Sequence, residues 1–153
     1  MAVTTYWYAK AFLSAFNKEI DFNSDTIKAT LHTSSYTPNQ DTHDYQNDLT
    51  NELSTANGYT AGGYTILSPT QTTSTNVATL DSADPAWTSS GAGFTARILV
   101  LADTTPASSA SNPLILWSDF GQDETASGGG TFTYTVNASG WATITAANAA
   151  GFP

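Results

Sequence analysis

The sequence predicts a mainly β fold, a β-sandwich or jelly-roll-like domain with one short N-terminal helix. Three observations predict it. Short segments alternate apolar and Thr-rich positions with a period of two, as in Ile27, Ala29 and Leu31 between Lys28, Thr30 and His32. Clusters of Gly, Asn, Asp and Ser punctuate these segments at close spacing. Helical spacing is confined to one stretch near the N-terminus, where Trp7, Ala11 and Ala15 recur beside Phe12 and Phe16.

Taken in order, residues 6–20 read as the helix, with Thr4 or Thr5 as its cap. Asp21, Asn23, Ser24 and Asp25 form a turn, and residues 26–33 a half-buried strand. Residues 34–47 are polar, carry Pro38, and read as a long loop with a short helical turn over 45–49. A loop of this length in a small domain is functional or packed on itself. Asn57-Gly58 and Gly62-Gly63 bracket Tyr59 as turns, and a short strand follows over 64–67. Residues 68–76 are mostly Thr and Ser, 77–80 a short strand, and Trp87 starts an edge strand. Residues 94–102 form the central strand, because the consecutive Ile98, Leu99, Val100 and Leu101 suit a strand covered on both faces. Residues 114–119 are a second buried strand. Residues 131–136 and 141–145 read as a hairpin about Asn137-Ala138-Ser139-Gly140. No repeat or linker divides the chain, so residues 1–153 read as one β-rich domain with apolar N- and C-terminal arms.

Charge narrows the function classes. Four basic side chains stand against 13 acidic ones, a formal net charge of -9. Such a chain cannot neutralise a run of phosphates, which argues against nucleic acid and against anionic membrane surfaces as partners. No stretch reaches the ~18 consecutive apolar residues of a transmembrane helix. The N-terminus shows no signal-peptide h-region, so if the protein ends up outside a cell, release within a larger particle is one route. With no cysteine there is no disulfide, thiol nucleophile or Cys-based zinc site.

Chemistry-bearing patterns are sparse. Asp41-Thr42-His43-Asp44 sets an imidazole between carboxylates, but no second His follows at ligand spacing, and a solvated turn explains the pattern. No Gly-x-Ser-x-Gly elbow is present, and Gly91-Ala92-Gly93 and Gly128-Gly129-Gly130 lack the Gly-Lys-Ser/Thr ending of a phosphate loop. Asp123-Glu124 lies in a Gly-rich stretch that suits solvation better than acid–base work. Asn137-Ala138-Ser139 matches a glycosylation pattern that is too short to carry weight. The expectation is therefore a protein that binds others: no enzyme, no cofactor, no metal. Arg97 is the only arginine; inside an apolar strand it needs a partner, for which Asp103, Asp119 or a loop carbonyl are the candidates. The tyrosines crowd into the first half, as core or as interface anchors. The candidate interface residues are Trp7, Tyr8, Tyr36, His43, Tyr45, Tyr59, Arg97 and Phe152.

Several longer runs carry a resemblance. They are Ala15-Phe16-Asn17-Lys18-Glu19-Ile20-Asp21-Phe22, Asp25-Thr26-Ile27-Lys28, Thr33-Ser34-Ser35-Tyr36-Thr37-Pro38-Asn39-Gln40-Asp41-Thr42-His43-Asp44-Tyr45 and Gly58-Tyr59-Thr60-Ala61-Gly62-Gly63. Thr95-Ala96-Arg97, Pro113-Leu114-Ile115 and Asp119-Phe120-Gly121 continue them. Over nearly the whole chain the sequence resembles a family of small tailed-bacteriophage structural proteins. That resemblance implies a virion component, above all a capsid decoration or cement protein that binds the major capsid protein or other virion proteins and forms a homo-oligomer on the particle. A carbohydrate- or receptor-binding module on a tail or head fibre is the rival implication. The resemblance brings no site residues with it.

Overall fold

The described part of the chain, residues 3–146 of a computed structural model, opens on a strand where a helix is expected. Strand β1 (Thr4–Trp7) runs antiparallel to β8 (Leu114–Ala126), with Thr5 opposite Ser118 and Trp7 opposite Leu116. Its β-branched and aromatic residues suit a half-buried pleat. This corrects one expectation: Thr4 and Thr5 pair in a sheet and cap nothing. Helix α1 (Ala9–Phe16) follows at once, with Tyr8 as an extended N-cap that makes no side-chain cap. It stops at Lys18, which is left-handed at φ 62°. Glu19 N–H then reaches the Ser14 carbonyl at 2.9 Å and Lys18 N–H the Ala15 carbonyl at 3.1 Å, the paired bonds of a Schellman motif.

The main sheet has five strands in the order β1, β8, β7 (Phe94–Asp103), β2 (Ile27–His32) and β3 (Tyr64–Thr65). A second sheet sets β10 (Ala142–Thr145), β5 (Val77–Asp81) and β4 (Thr70–Ser74) side by side, and a third pairs β6 (Ala86–Thr88) with β9 (Thr131–Thr133). Every pairing is antiparallel. The architecture is mainly β and sandwich-like. The inner face of the five-stranded sheet (Ile27, Leu31, Leu99, Leu101, Leu116, Phe120) shares one core with Leu80, Trp87, Val136 and Trp141 from the smaller layers. Its outer face (Ile98, Val100, Ala102) packs on Tyr8, Ala11 and Tyr36. Apolar cover on both faces is why β7 reads as an unbroken apolar run.

The β7–β8 ladder slips twice, between Ala96 and Ile98 and between Leu101 and Ala102. Arg97 sits at the first slip. Phe94 and Ala96 belong to the inner core, yet beyond Arg97 it is Leu99 and Leu101 that point inward. Such irregularities bend and twist a strand and re-aim its side chains. Arg97 is thereby released from the apolar run and turned toward Asp119.

The expected hairpin over 131–145 does not form. Its turn does, since Gly140 N–H reaches the Asn137 carbonyl at 2.7 Å. The flanking strands, however, take other partners: β9 pairs with β6 and β10 with β5. Trp141 draws the chain away, because its ring lies flat on Tyr134 (4.8 Å, 7°) and its Nε1–H donates to the Ser82 hydroxyl at 2.8 Å. A different hairpin joins β4 to β5, where Thr75 (φ 46°) and Asn76 (φ 68°) make a two-residue turn with both residues left-handed.

Candidate docking face

Three of the expected interface tyrosines are interior. Tyr8 (0% exposed), Tyr36 and Tyr59 are buried, so they offer no area to a partner. Their hydroxyls are instead satisfied within the chain, as buried polar groups require. The Tyr8 and Tyr36 hydroxyls lie 2.8 Å apart, and Tyr36 reaches His43 Nδ1 at 3.0 Å. The Asn39 backbone N–H also points at that nitrogen (3.4 Å), which makes it an acceptor and directs the relay from Tyr8 through Tyr36 to His43. Burial pushes the Tyr36 phenol up to about 12 and the Tyr8 phenol higher still. Tyr59 donates to Glu52 at 2.7 Å and accepts from Leu31 N–H at 3.1 Å, and burial raises its phenol as well. These residues fasten residues 33–51 to the sheet. Ala9 N–H to the Gln40 carbonyl (2.9 Å), Leu114 N–H to the Asp44 carbonyl (2.8 Å) and the Lys10–Asp44 ion pair (2.9 Å) complete that attachment. The long loop is thus an ordered, packed element, with a 3-10 turn over Gln46–Asp48.

Of the other expected residues, Tyr45 is half-buried in a cleft of about 470 Å³ beside Lys18, Glu19 and Asp25, and the Glu19 charge raises its phenol. Arg97 pairs with Asp119, both partly exposed, which settles the choice left open by the sequence. Phe152 and the rest of the C-terminal arm lie outside the described residues. Trp7 is partly buried between the two cores and tilts against Phe12 at 5.1 Å. It leads to the surface that the sequence pattern missed.

That surface is α1. Ala11 and Ser14 face the domain, and Phe12, Leu13 and Phe16 face outward, with Leu13 60% and Phe16 86% exposed. Helical periodicity is present, but it is split: the stripe assigned to the core from sequence includes residues that point into solvent. Beside the helix runs an apolar groove of about 100 Å³ lined by Trp7, Phe12, Ala15, Ile20, Leu80 and Ile144. The helix carries no carboxylate along its length, in a chain with a net charge of -9. A projecting apolar ridge next to a slot for one side chain is the geometry of a protein-docking anchor.

No cluster of three or more His, Cys, Asp or Glu side chains is arranged to hold a metal ion among the described residues. No described helix is long and apolar enough to cross a membrane. Comparison with family models, with curated proteins and with solved structures finds no match for the chain.

Proposed function

We propose that the chain is a structural protein of a tailed-bacteriophage particle, a decoration or cement subunit that docks on the assembled head through α1 and its groove. One observation carries the reading: Phe12, Leu13 and Phe16 form an apolar, carboxylate-free ridge on an otherwise hydroxyl-rich, acidic chain. The sequence resemblance to phage structural proteins supplies the kind of partner, a capsid lattice. Exposed apolar groups of this kind are stable in water only as far as the rest of the surface keeps the protein dispersed, and they gain when a partner covers them. The protein acts there as a binder, with capsid or other virion proteins as partners and further copies of itself as neighbours on the particle.

A second reading rests on a different observation. Tyr6 (39% exposed) stacks on Trp117 at 4.4 Å, two residues along each strand from Thr4 and Asp119. An aromatic platform beside an Arg–Asp pair suits a sugar ring, as a receptor-binding module on a fibre would need.

A co-sedimentation assay with virions stripped of the subunit separates the two. The Leu13→Ser, Phe16→Ser double variant is expected to fold and melt like the wild type while losing particle binding by at least tenfold. Undiminished binding by this variant overturns the docking reading. Retention of the wild type on a carbohydrate array that is lost with Tyr6→Ala, while particle binding is kept, instead favours the fibre module.

A further inference from the structure

Thr5 and Tyr6 alternate on β1, so they face opposite sides of the five-stranded sheet. Tyr6 stacks on Trp117 on one side. On the other side the Thr5 hydroxyl lies 2.8 Å from the Ser118 hydroxyl, and Ser118 lies 2.9 Å from the Tyr134 hydroxyl. Ser118 is completely buried, and these two neighbours satisfy it. Thr5 and Tyr134, both held by that serine, leave their own oxygens 3.4 Å apart. Both residues line a cleft of about 400 Å³, with Val3, Thr135, Asn137 and Trp141 among its other walls. A smaller lobe of about 210 Å³ continues from Val3, Tyr134 and Thr135 to Phe120 and Phe132. The larger lobe alone falls in the range of about 300–1,000 Å³ typical of small-ligand sites.

The walls of this cleft are fixed. The Tyr134 ring lies flat on Trp141 (4.8 Å, 7°) and packs on Phe120 at 6.2 Å, which sets the position of its hydroxyl. Its backbone N–H donates to the Pro85 carbonyl at 3.0 Å, and Val136 N–H donates to the Asp84 carboxylate at 2.9 Å. At the rim, Asn137 Oδ1 accepts the Ser139 N–H at 2.9 Å, which leaves the amide N–H2 as a donor. Groups held in place before binding lose little freedom on binding.

The chemistry of the lining selects the ligand. No charged side chain is among the described residues that line either lobe, in a chain with 13 acidic residues. An anion would find no counter-charge there. A hydroxyl is both donor and acceptor, so one placed between Thr5 and Tyr134 accepts from one and donates to the other. Two ordinary bonds then replace the long contact, and Ser118 keeps both of its own. Each bond in such a closed circuit polarises the next.

We propose that this cleft binds a neutral saccharide, one ring hydroxyl completing a circuit through Thr5, Ser118 and Tyr134 while the Asn137 amide donates to a second ligand oxygen. The cleft shares no lining residue with the groove beside α1, so it does not rest on the docking reading. It lies across the sheet from the Tyr6–Trp117 platform, so it does not rest on that one either.

NMR titration of the backbone amides tests it, with glucose, mannose, galactose and N-acetylglucosamine as probes that vary the ring at C2 and C4. Glycerol and inorganic phosphate are the controls. At least one sugar is expected to shift Thr5, Tyr134, Thr135 and Asn137 saturably at millimolar concentration, and to do so equally in Tyr6→Ala. Thr5→Val keeps the shape of the wall and removes one hydroxyl, and should weaken that sugar by about three- to tenfold, the worth of one hydrogen bond. No saturable shift with any of the four sugars overturns the proposal. So do shifts centred on Tyr6 and Trp117, or glycerol or phosphate binding as tightly as the sugars. Unchanged affinity in folded Thr5→Val overturns the circuit, and should that variant fail to fold, Asn137→Ala at the exposed rim decides in the same way.

Discussion

Arg97 and Asp119 meet where β7 and β8 lose register, with the guanidinium Nε donating to Oδ1 at 2.5 Å and Gly121 N–H binding the same oxygen at 2.7 Å. The pair lies at the surface end of the slip and not inside the core. Both side chains keep close to a third of their exposure, 29% and 31%, so water screens the attraction. Asp103, the alternative partner, instead accepts the Thr105 backbone N–H at 2.8 Å.

Arg97→Met is therefore expected to melt close to the wild type, and 0.5 M salt should erase most of the difference. The Arg97 hydrogen bond holds the Asp119 carboxyl below its ordinary value. The pair thus contributes above the usual carboxylate range and fades as pH falls through the lowered folded value. A large, salt-insensitive loss of Tm would show that the pair is buried after all.

The hydroxyl relay predicts unequal effects of two similar substitutions. Tyr36→Phe strands the buried Tyr8 hydroxyl and should cost about 1–3 kcal/mol, while Tyr8→Phe leaves Tyr36 bonded to His43 and should cost about 0.5–1.5 kcal/mol. Urea denaturation of the two variants measures this. Spectrophotometric titration of the wild type should also leave Tyr8, Tyr36 and Tyr59 un-ionised at pH 10.5, where exposed phenols are mostly charged.

Two glycines with the same backbone sign offer a controlled comparison. Gly58 (φ 93°) and Gly62 (φ 91°) are both left-handed, but a Cβ on Gly58 would stand 2.1 Å from the Thr88 carbonyl oxygen, whereas one on Gly62 meets nothing. Gly62→Ala should cost about 1–2 kcal/mol for the conformation alone. Gly58→Ala must cost clearly more, because the loop around Tyr59 has to move. Equal losses in thermal denaturation would contradict the close approach.

His32 provides a pH marker. Its Nδ1–H donates to the Thr50 carbonyl at 2.8 Å, and its Nε2 faces the Thr30 hydroxyl at 2.9 Å. Burial lowers its pKa, so its contribution is present above about 6.5 and declines as pH falls toward the lowered folded value. Proton NMR should find the His32 ring titrating below the ordinary histidine value in the folded protein. A ring half-protonated at 6.5 would count against the buried position.

What was legible in the sequence was local. The alternation of Ile27 to Leu31, the apolar run through Leu101 and the turn at Asn137 to Gly140 each appear where the pattern places them. Pairing was not legible, because periodicity marks a strand without naming its neighbour. Phe132 and Ile144 sit in real strands but in different sheets, since Trp141 packs on Tyr134 between them. β4 was hidden because all five of its residues are exposed, which leaves no apolar alternation to detect. At the candidate site the apolar spacing was visible and its direction was not. Tyr8 took the buried position, through its hydroxyl bond to Tyr36, and Phe16 was left outside.

The place of β1 in the sheet bears on how the protein is made. Thr5 and its partner Ser118 are 113 residues apart, so a ribosome adding about 5–20 residues each second completes the second strand on the order of ten seconds after the first. Throughout that interval Thr4, Thr5, Tyr6 and Trp7 have no sheet to join. The five-stranded layer therefore closes only late in synthesis, and the nascent chain depends on its Thr-rich, acidic character to stay dispersed until β8 emerges. Refolding from denaturant should be correspondingly slow for the chain's size, in the millisecond-to-second range typical of topologies dominated by distant pairings.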